Sequence, residues 1–224
     1  MIVSDPPTKN DKARARRLYA KLDALYPDAH CALNYETPFQ LLVATILSAQ
    51  CLDDTVNKAT PALFAKYPTP KAMAKAKVAD IEKLVKTCGF YRNKAKNIHA
   101  TAIMIEDEFG GDVPRTIEQL IRLPGAARKT ANVVLGNAFG INEGMVVDTH
   151  IGRLSVRLGF TEADSKNAVR IEKDLMALFP QKTWTQLAHL LIAHGRAVCP
   201  SQRPKCSTCP LKRSCPQATV ENAV

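Results

Sequence analysis

Four cysteines close the chain in the spacing C-x6-C-x2-C-x5-C: Cys199, Cys206, Cys209 and Cys215. The residues between them (PSQRPK, ST and PLKRS) carry no apolar periodicity and too little bulk for a core of their own. Such a segment folds only if something ties it down. Four thiolates converging on one centre would do so, and soft sulfur donors select zinc or an iron–sulfur cluster. Spacing alone leaves both open, although zinc sites more often use two C-x2-C pairs and this chain has one. His150, His189 and His194 are conceivable further ligands, but four cysteines already complete a site, so the histidines read as capping or core residues. The other three cysteines, Cys31, Cys51 and Cys88, sit in apolar surroundings far apart in sequence. An odd total of seven fits buried free thiols plus one metal site in a reducing compartment better than a disulfide framework.

The chain has 224 residues, enough for one large core or two modest ones, and 46% of them are hydrophobic. The net charge is +10. A basic excess of this size points to a polyanionic partner, most often nucleic acid. No apolar run approaches the ~20 residues that span a bilayer. The first residues, MIVSDPPTKNDKARARR, lack the apolar stretch of a secretory signal. The expectation is a cytoplasmic protein with no membrane partner.

Helical periodicity dominates. Leu18, Leu22 and Leu25 mark a first helix, and Thr37-Pro38 is a start signal for FQLLVATILSAQ, apolar almost all round and therefore central. Pro61 predicts a break between a short helix from Asp53 and a second running to Tyr67. Ile81, Leu84 and Val85 mark a helix with Gly89 as its terminating glycine. Ala95 to Phe109 forms another, stopped by Gly110. Thr116-x-x-Gln119 is a capping box, and later helices start near Thr149, Asp164 and Thr183. MVV before Asp148 is at most a short extended piece, so the fold is all-α.

Two segments carry candidate chemistry. In LPGAARKTAN, Pro124-Gly125 makes a tight turn and the next helix starts at once. Its first N–H groups and partial positive charge form a ready phosphate site. Taken alone, the turn is an ordinary helical hairpin. Lys129 falls in the first turn of that helix, where the positive helix end and any burial disfavour the ammonium and leave an amine able to attack as a nucleophile. A phosphate-binding lysine is the plainer reading of the same residue. In VVDTH, Asp148 is either a plain N-cap or a carboxylate that faces a developing positive charge.

Taken in this order, LPGAARKTAN, VDTH and the cysteine tail resemble the endonuclease III family of helix–hairpin–helix DNA glycosylases. The similarity extends through LLVATILSAQCLDDTVNK and CGFYRNKAKNI, and covers roughly Tyr35 to Cys215. The resemblance implies two lobes. One is a six-helix barrel over about 31–141 with the hairpin at about 116–138. The other combines residues 1–30 with 142–224 and holds a [4Fe–4S] cluster. It further implies Lys129 and Asp148 as the catalytic pair and Cys199, Cys206, Cys209 and Cys215 as cluster ligands. Gln50 fills the gap left by an extruded base and Phe90 wedges the stack. Contacts to DNA phosphates come from Gly125, Ala127, Arg128, Thr130, Arg203 and Lys205. The implied activity is a bifunctional glycosylase and abasic-site lyase that removes oxidised pyrimidines from double-stranded DNA, as a monomer associated with the nucleoid. Arg153 and Arg157 share a helix face that reaches either DNA or solvent.

One departure stands out. The family hairpin usually reads LPGxG, and here Ala127 takes the second glycine's place. A positive φ or a close phosphate there would make alanine costly. Adenine-specific mismatch glycosylases of the same superfamily carry a catalytic glutamate on the helix before the gap-filling glutamine. Val43 to Ser48 holds no acid, so the chain resembles a lyase-competent member. Two other readings remain: a non-catalytic hairpin module with a structural four-cysteine metal site, and a zinc-stapled interaction protein.

Overall fold

The computed structural model describes residues 6–218. Its helix starts are set by short polar side chains. Thr8, Thr37, Thr69, Thr116, Asp148 and Asn167 each precede a helix and accept its third backbone N–H. Such a cap is worth about 1 kcal/mol. In chain order the helices are α1 (Lys9–Leu25), α2 (Pro38–Ser48), α3 (Asp53–Lys66), α4 (Pro70–Ala74), α5 (Val78–Leu84), α6 (Tyr91–Phe109), α7 (Ile117–Leu120), α8 (Arg128–Phe139), α9 (Thr149–Arg157), α10 (Ala168–Leu178) and α11 (Trp184–Ala197). Two 3₁₀ turns, Gln181–Thr183 and Lys212–Ser214, complete the inventory, and no strand occurs among the described residues. The all-α reading holds.

The chain divides into two units: Cys31–Glu143, and Met1–His30 together with Gly144–Val224. In the first, α2 is the pillar. Every residue from Phe39 to Leu47 is buried, as its all-round apolar sequence requires. Helices α3, α6 and α8 pack around it, α4 and α5 lie on α6, and α7 lies on α8. In the second unit α11 packs on α1 and α9, and α10 covers both of those. Arg14 of α1 laces this unit together by donating to the carbonyls of Leu158, Gly159 and Ser214.

Four local expectations need correction. Helix α3 runs unbroken through Pro61. Burial of Val56, Ala59, Thr60 and Leu63 on one face outweighs the ~3 kcal/mol that an internal proline costs. Gly89 does not terminate α5, which stops at a Val85 cap with φ −107°. The left-handed residue there is Phe90. Asp164 starts no helix. Its side chain accepts from Lys166 N–H in a local turn, and Asn167 caps α10 instead. The box at Thr116 is half-made: its hydroxyl accepts from Gln119 N–H, but the Gln119 amide oxygen bonds that hydroxyl rather than the Thr116 backbone. Helix α4 was missed, although Thr69-Pro70 repeats the Thr37-Pro38 signal.

Candidate active site and nucleic-acid interface

The hairpin between α7 and α8 is built on a glycine that nothing else can replace. Gly125 has φ 82°, and a Cβ added there would stand 2.9 Å from Asn97 Nδ2 and 3.2 Å from Ile46 Cγ2. The neighbouring carbonyl, Pro124 O, accepts from Thr101 Oγ1 of α6 at 2.8 Å. The turn is thus fixed to α2 and α6 on its inner side. Ala126 N–H closes back on Leu123 O. Helix α8 then starts from Ala127 without any side-chain cap, and the Ala131 N–H reaches Ala127 O. An uncapped helix start beside a glycine turn can receive an anion through backbone N–H groups. Ala127 sits at φ −85° and ψ 172°, ordinary extended backbone, so the conformational objection to alanine disappears.

Gly125, Ala127, Arg128 and Lys129 are exposed, and Thr130 is buried. Thr130 therefore supports the hairpin from within. Lys129 is an exposed amine in the first turn of α8, so burial adds nothing to the effect of the helix end.

A second exposed region of the same unit joins the end of α2 to the start of α6. Gln50 and Phe90 both lie in the left-handed region, at φ 52° and 58°. Both are exposed, Phe90 to 68%. A non-glycine residue in that region costs about 1–2 kcal/mol. The two loops are joined beneath. Gly89 approaches Gln50 O, with a virtual Cβ at 3.6 Å, and the Cys51 and Cys88 thiols hydrogen-bond each other. Burial first, and then Cys51, push the Cys88 thiol up to about 11, which makes it a packing group rather than a nucleophile. Lys94, only 5% exposed, donates from Nζ to Leu47 O at 2.8 Å. It lies one turn into α6 after Phe90, so it ties the root of the Phe90 loop to the end of the helix that carries Gln50.

The other unit carries the carboxylate and the cysteines. Asp148 caps α9: its Oδ1 accepts from Ile151 N–H at 2.8 Å, and the side chain is half-buried. That bond fixes the carboxylate at the helix start. Helix α9 also supports the cysteine tail. Arg153 donates to Cys199 O, and Arg157 donates to Pro200 O, Ser201 O and the Cys199 sulfur, the last at 3.2 Å. These two arginines brace the tail and are not free to reach DNA or open solvent, which replaces the reading drawn from their shared face. The sequence reading of His194 as a capping or core residue fits its burial, but did not foresee its place against the cysteine tail. Its Nδ1 faces Tyr26 OH at 2.8 Å and its Nε2 faces Cys209 Sγ at 3.7 Å. Burial lowers its pKa to about 4, so the ring is neutral and one of its two nitrogens carries the proton. A histidine in the last turn of the helix before the first cysteine was the available signal.

All four cysteines, half-buried, line one cavity with Leu154, Leu158, His194, Val198 and Lys212. Among the described residues, no three His, Cys, Asp or Glu side chains converge tightly enough to hold a single metal ion. Four thiols ringed around a common space, with Arg157 donating to the Cys199 sulfur, are a donor set that soft metal centres favour. In the loop Pro200–Lys205, Arg203 is exposed at φ 51°. Lys205 is exposed as well, but its Nζ is engaged on Ala197 O at the end of α11.

The chain matches the family described as HhH-GPD superfamily base excision DNA repair protein over residues 43–181. It is 54% identical to the endonuclease III of Synechocystis sp., across 92% of this chain and 94% of that protein. With the endonuclease III of Bacillus subtilis the identity is 43%, across 87% of this chain and 88% of that one. Among solved structures it is similar to an endonuclease III trapped as a covalent intermediate with DNA, in an estranged-adenine complex. The TM-score there is 0.86 and the identity 42%, with 92% of this chain and 96% of that one covered.

Proposed function

The chain belongs to the endonuclease III family within the HhH-GPD superfamily of base excision DNA repair proteins, and from that premise we propose that Lys129 is its nucleophile and Asp148 its charge-stabilising carboxylate. It is a DNA glycosylase and abasic-site lyase. The observation that supports the assignment of Lys129 most strongly is an exposed amine in the first turn of α8, directly after the Gly125 turn, in a fold similar to one trapped covalently on DNA.

Binding begins at the hairpin. Backbone N–H groups at the start of α8 and the Arg128 side chain take a phosphate. Gln50 and Phe90 enter the duplex, and the damaged nucleotide leaves the stack. Flipping costs a few kcal/mol, least for a base that already stacks poorly. The substrate class is an oxidised pyrimidine. The Lys129 amine attacks the sugar C1′, a C–N bond forms and the base departs. Asp148 stabilises the positive charge that gathers on the sugar as the glycosidic bond stretches. Ring opening gives a Schiff base. Loss of a C2′ proton then expels the 3′ phosphate and cuts the strand.

Cys199, Cys206, Cys209 and Cys215 would hold a [4Fe–4S] cluster, which supplies a structural pin for the tail and no step of this chemistry. The protein acts as a monomer on double-stranded DNA in the cytoplasm.

The test is reductive trapping. Borohydride added during reaction with a panel of duplexes, each holding one oxidised pyrimidine or an abasic site, should freeze a protein–DNA adduct. Lys129→Ala should abolish the adduct and lower strand cleavage by at least about 10³-fold, with DNA affinity reduced less than about tenfold. An adduct that persists in Lys129→Ala assigns the nucleophile elsewhere. Binding without cleavage by the parent protein would favour the non-catalytic module.

A further inference from the structure

Leu52 is a residue out of place. It is 77% exposed, and it occupies the N-cap of α3, where it makes no side-chain cap bond. Leucine is among the poor choices for that position, and relative to Ser, Thr, Asp or Asn it costs about 1 kcal/mol. Six other helices of this chain use such a residue at that place. Exposure gives leucine no burial energy in the free protein either. Two separate costs therefore fall on one side chain.

Its location supplies a reason. Leu52 is two residues after Gln50, on the segment whose neighbour Cys51 is hydrogen-bonded to Cys88 of the Phe90 loop. It belongs to the same tip, anchored by Lys94 on Leu47 O. Gln50 and Phe90 also bear a structural cost, in their left-handed backbone, and Phe90 likewise starts a helix without a side-chain cap. Asp53 and Asp54 follow Leu52 in the first turn of α3. Their carboxylates repel phosphates, so an apolar group beside them suits a base face and not the DNA backbone. A valine of similar exposure, Val169 at 79%, lies in the other unit and shares none of these features.

We infer that Leu52 is a third DNA-contacting residue of the tip, which packs on the bases bordering the gap once Gln50 and Phe90 have entered the duplex. This rests on the glycosylase reading above and deepens it. Leu52 touches DNA but not the reacting sugar, so it adds to extrusion and to recognition of duplex, and takes no part in bond breaking. Removing its apolar surface weakens only the steps that need a base held out of the stack.

The substitution Leu52→Thr tests this, because threonine restores a cap while removing most of the apolar surface. Its melting temperature should equal or exceed that of the parent. On a duplex with one oxidised pyrimidine, kcat/KM should fall by about 5- to 30-fold, the range expected for losing partial to full burial of a leucine. A 2-aminopurine placed beside the lesion should brighten less on binding. On an abasic site in single-stranded DNA, where no base needs extruding, the loss should be at least about fivefold smaller than on the duplex. Leu52→Met should restore most of the duplex activity, and Val169→Thr should leave both activities as they are. Parental duplex activity in Leu52→Thr overturns the inference and leaves the glycosylase reading intact. Equal losses on both substrates with a lowered melting temperature also overturn it, since they mark a structural residue. A parent protein that forms no adduct on any duplex overturns the glycosylase reading, and this inference falls with it.

Discussion

At the scale of single residues, cost without visible return is what supports the proposed DNA-contacting tip. Gln50 and Phe90 hold left-handed backbone, Leu52 lies uncapped and exposed, and all three stand on one tip. His189 of α11 shows a cost that has a stability return instead. Burial first, and then the nearby His30, lower its pKa from 6.5 to about 4. In the unfolded chain it takes up a proton below about pH 6.5, while the folded ring refuses it down to about 4. The unfolded state therefore binds more protons throughout that window, and stability must fall as pH falls through it. Because the ring is partly solvent-accessible, the loss attributable to His189 is roughly 2 kcal/mol. Urea melts at about pH 7 and pH 4.5 check this: His189→Gln should lose less stability between the two than the parent, by about that amount. Equal losses would show that other groups govern the acid limb. The candidate catalytic residues were legible because lysine after a Pro-Gly turn and aspartate before a helix are local patterns. The surroundings of Lys129 were not, since exposure is decided by packing far away in sequence. The same holds for Arg157 on the Cys199 sulfur, a contact that spans 42 positions.

At the scale of elements, caps and apolar faces explain most of what the sequence revealed, and close approaches explain what it hid. Thr-Pro starts, the buried stripe of α2 and the Gly110 end of α6 are all written in neighbouring residues. The continuity of α3 through Pro61 is not, because the outcome depends on how much burial the far side of the helix obtains. Gly152 in the middle of α9 is another case. It looks like a weak point in a helix, yet a Cβ there would stand 2.2 Å from Ser165 O and 3.3 Å from its carbonyl carbon. The loop before α10 runs against α9 at that spot, and that loop is locked by Asp164 accepting from Lys166 N–H. Gly152→Ala thus improves helix propensity by about 1 kcal/mol but forces backbone to move. The second effect should win. A net destabilisation of about 1–3 kcal/mol is expected, read as a melting temperature lowered by roughly 2–10 °C for a chain of this size. A raised melting temperature would mean that the loop yields freely and that the close approach constrains nothing.

At the scale of the whole molecule, the two units differ in how their parts are secured. The Cys31–Glu143 unit is continuous in sequence and closes its core around α2. The other unit is discontinuous, and its C-terminal portion depends on little apolar contact: from Pro200 to Pro216 the buried residues are Pro204 and Leu211. Arg14, Arg153 and Arg157 hold that stretch mostly through backbone carbonyls, bonds each worth only about 1–3 kcal/mol net. The ordering entropy of some seventeen residues, at about 1–2 kcal/mol apiece, exceeds that sum. On the proposed reading, metal ligation by the four thiolates makes up the difference. Stripping the metal should therefore release this stretch before anything else loosens. Trypsin should then cut at the exposed Lys205, Lys212 and Arg213 within minutes, while Cys31–Glu143 stays resistant and the helical circular dichroism falls only slightly. The same treatment distinguishes the metals: an iron–sulfur centre gives a brown protein whose visible absorption disappears in step with the cleavage, whereas zinc leaves no colour to lose. A tail that remains uncut after complete metal removal would show that arginine–carbonyl bonds and two buried side chains are enough, and that the four cysteines are not what holds it.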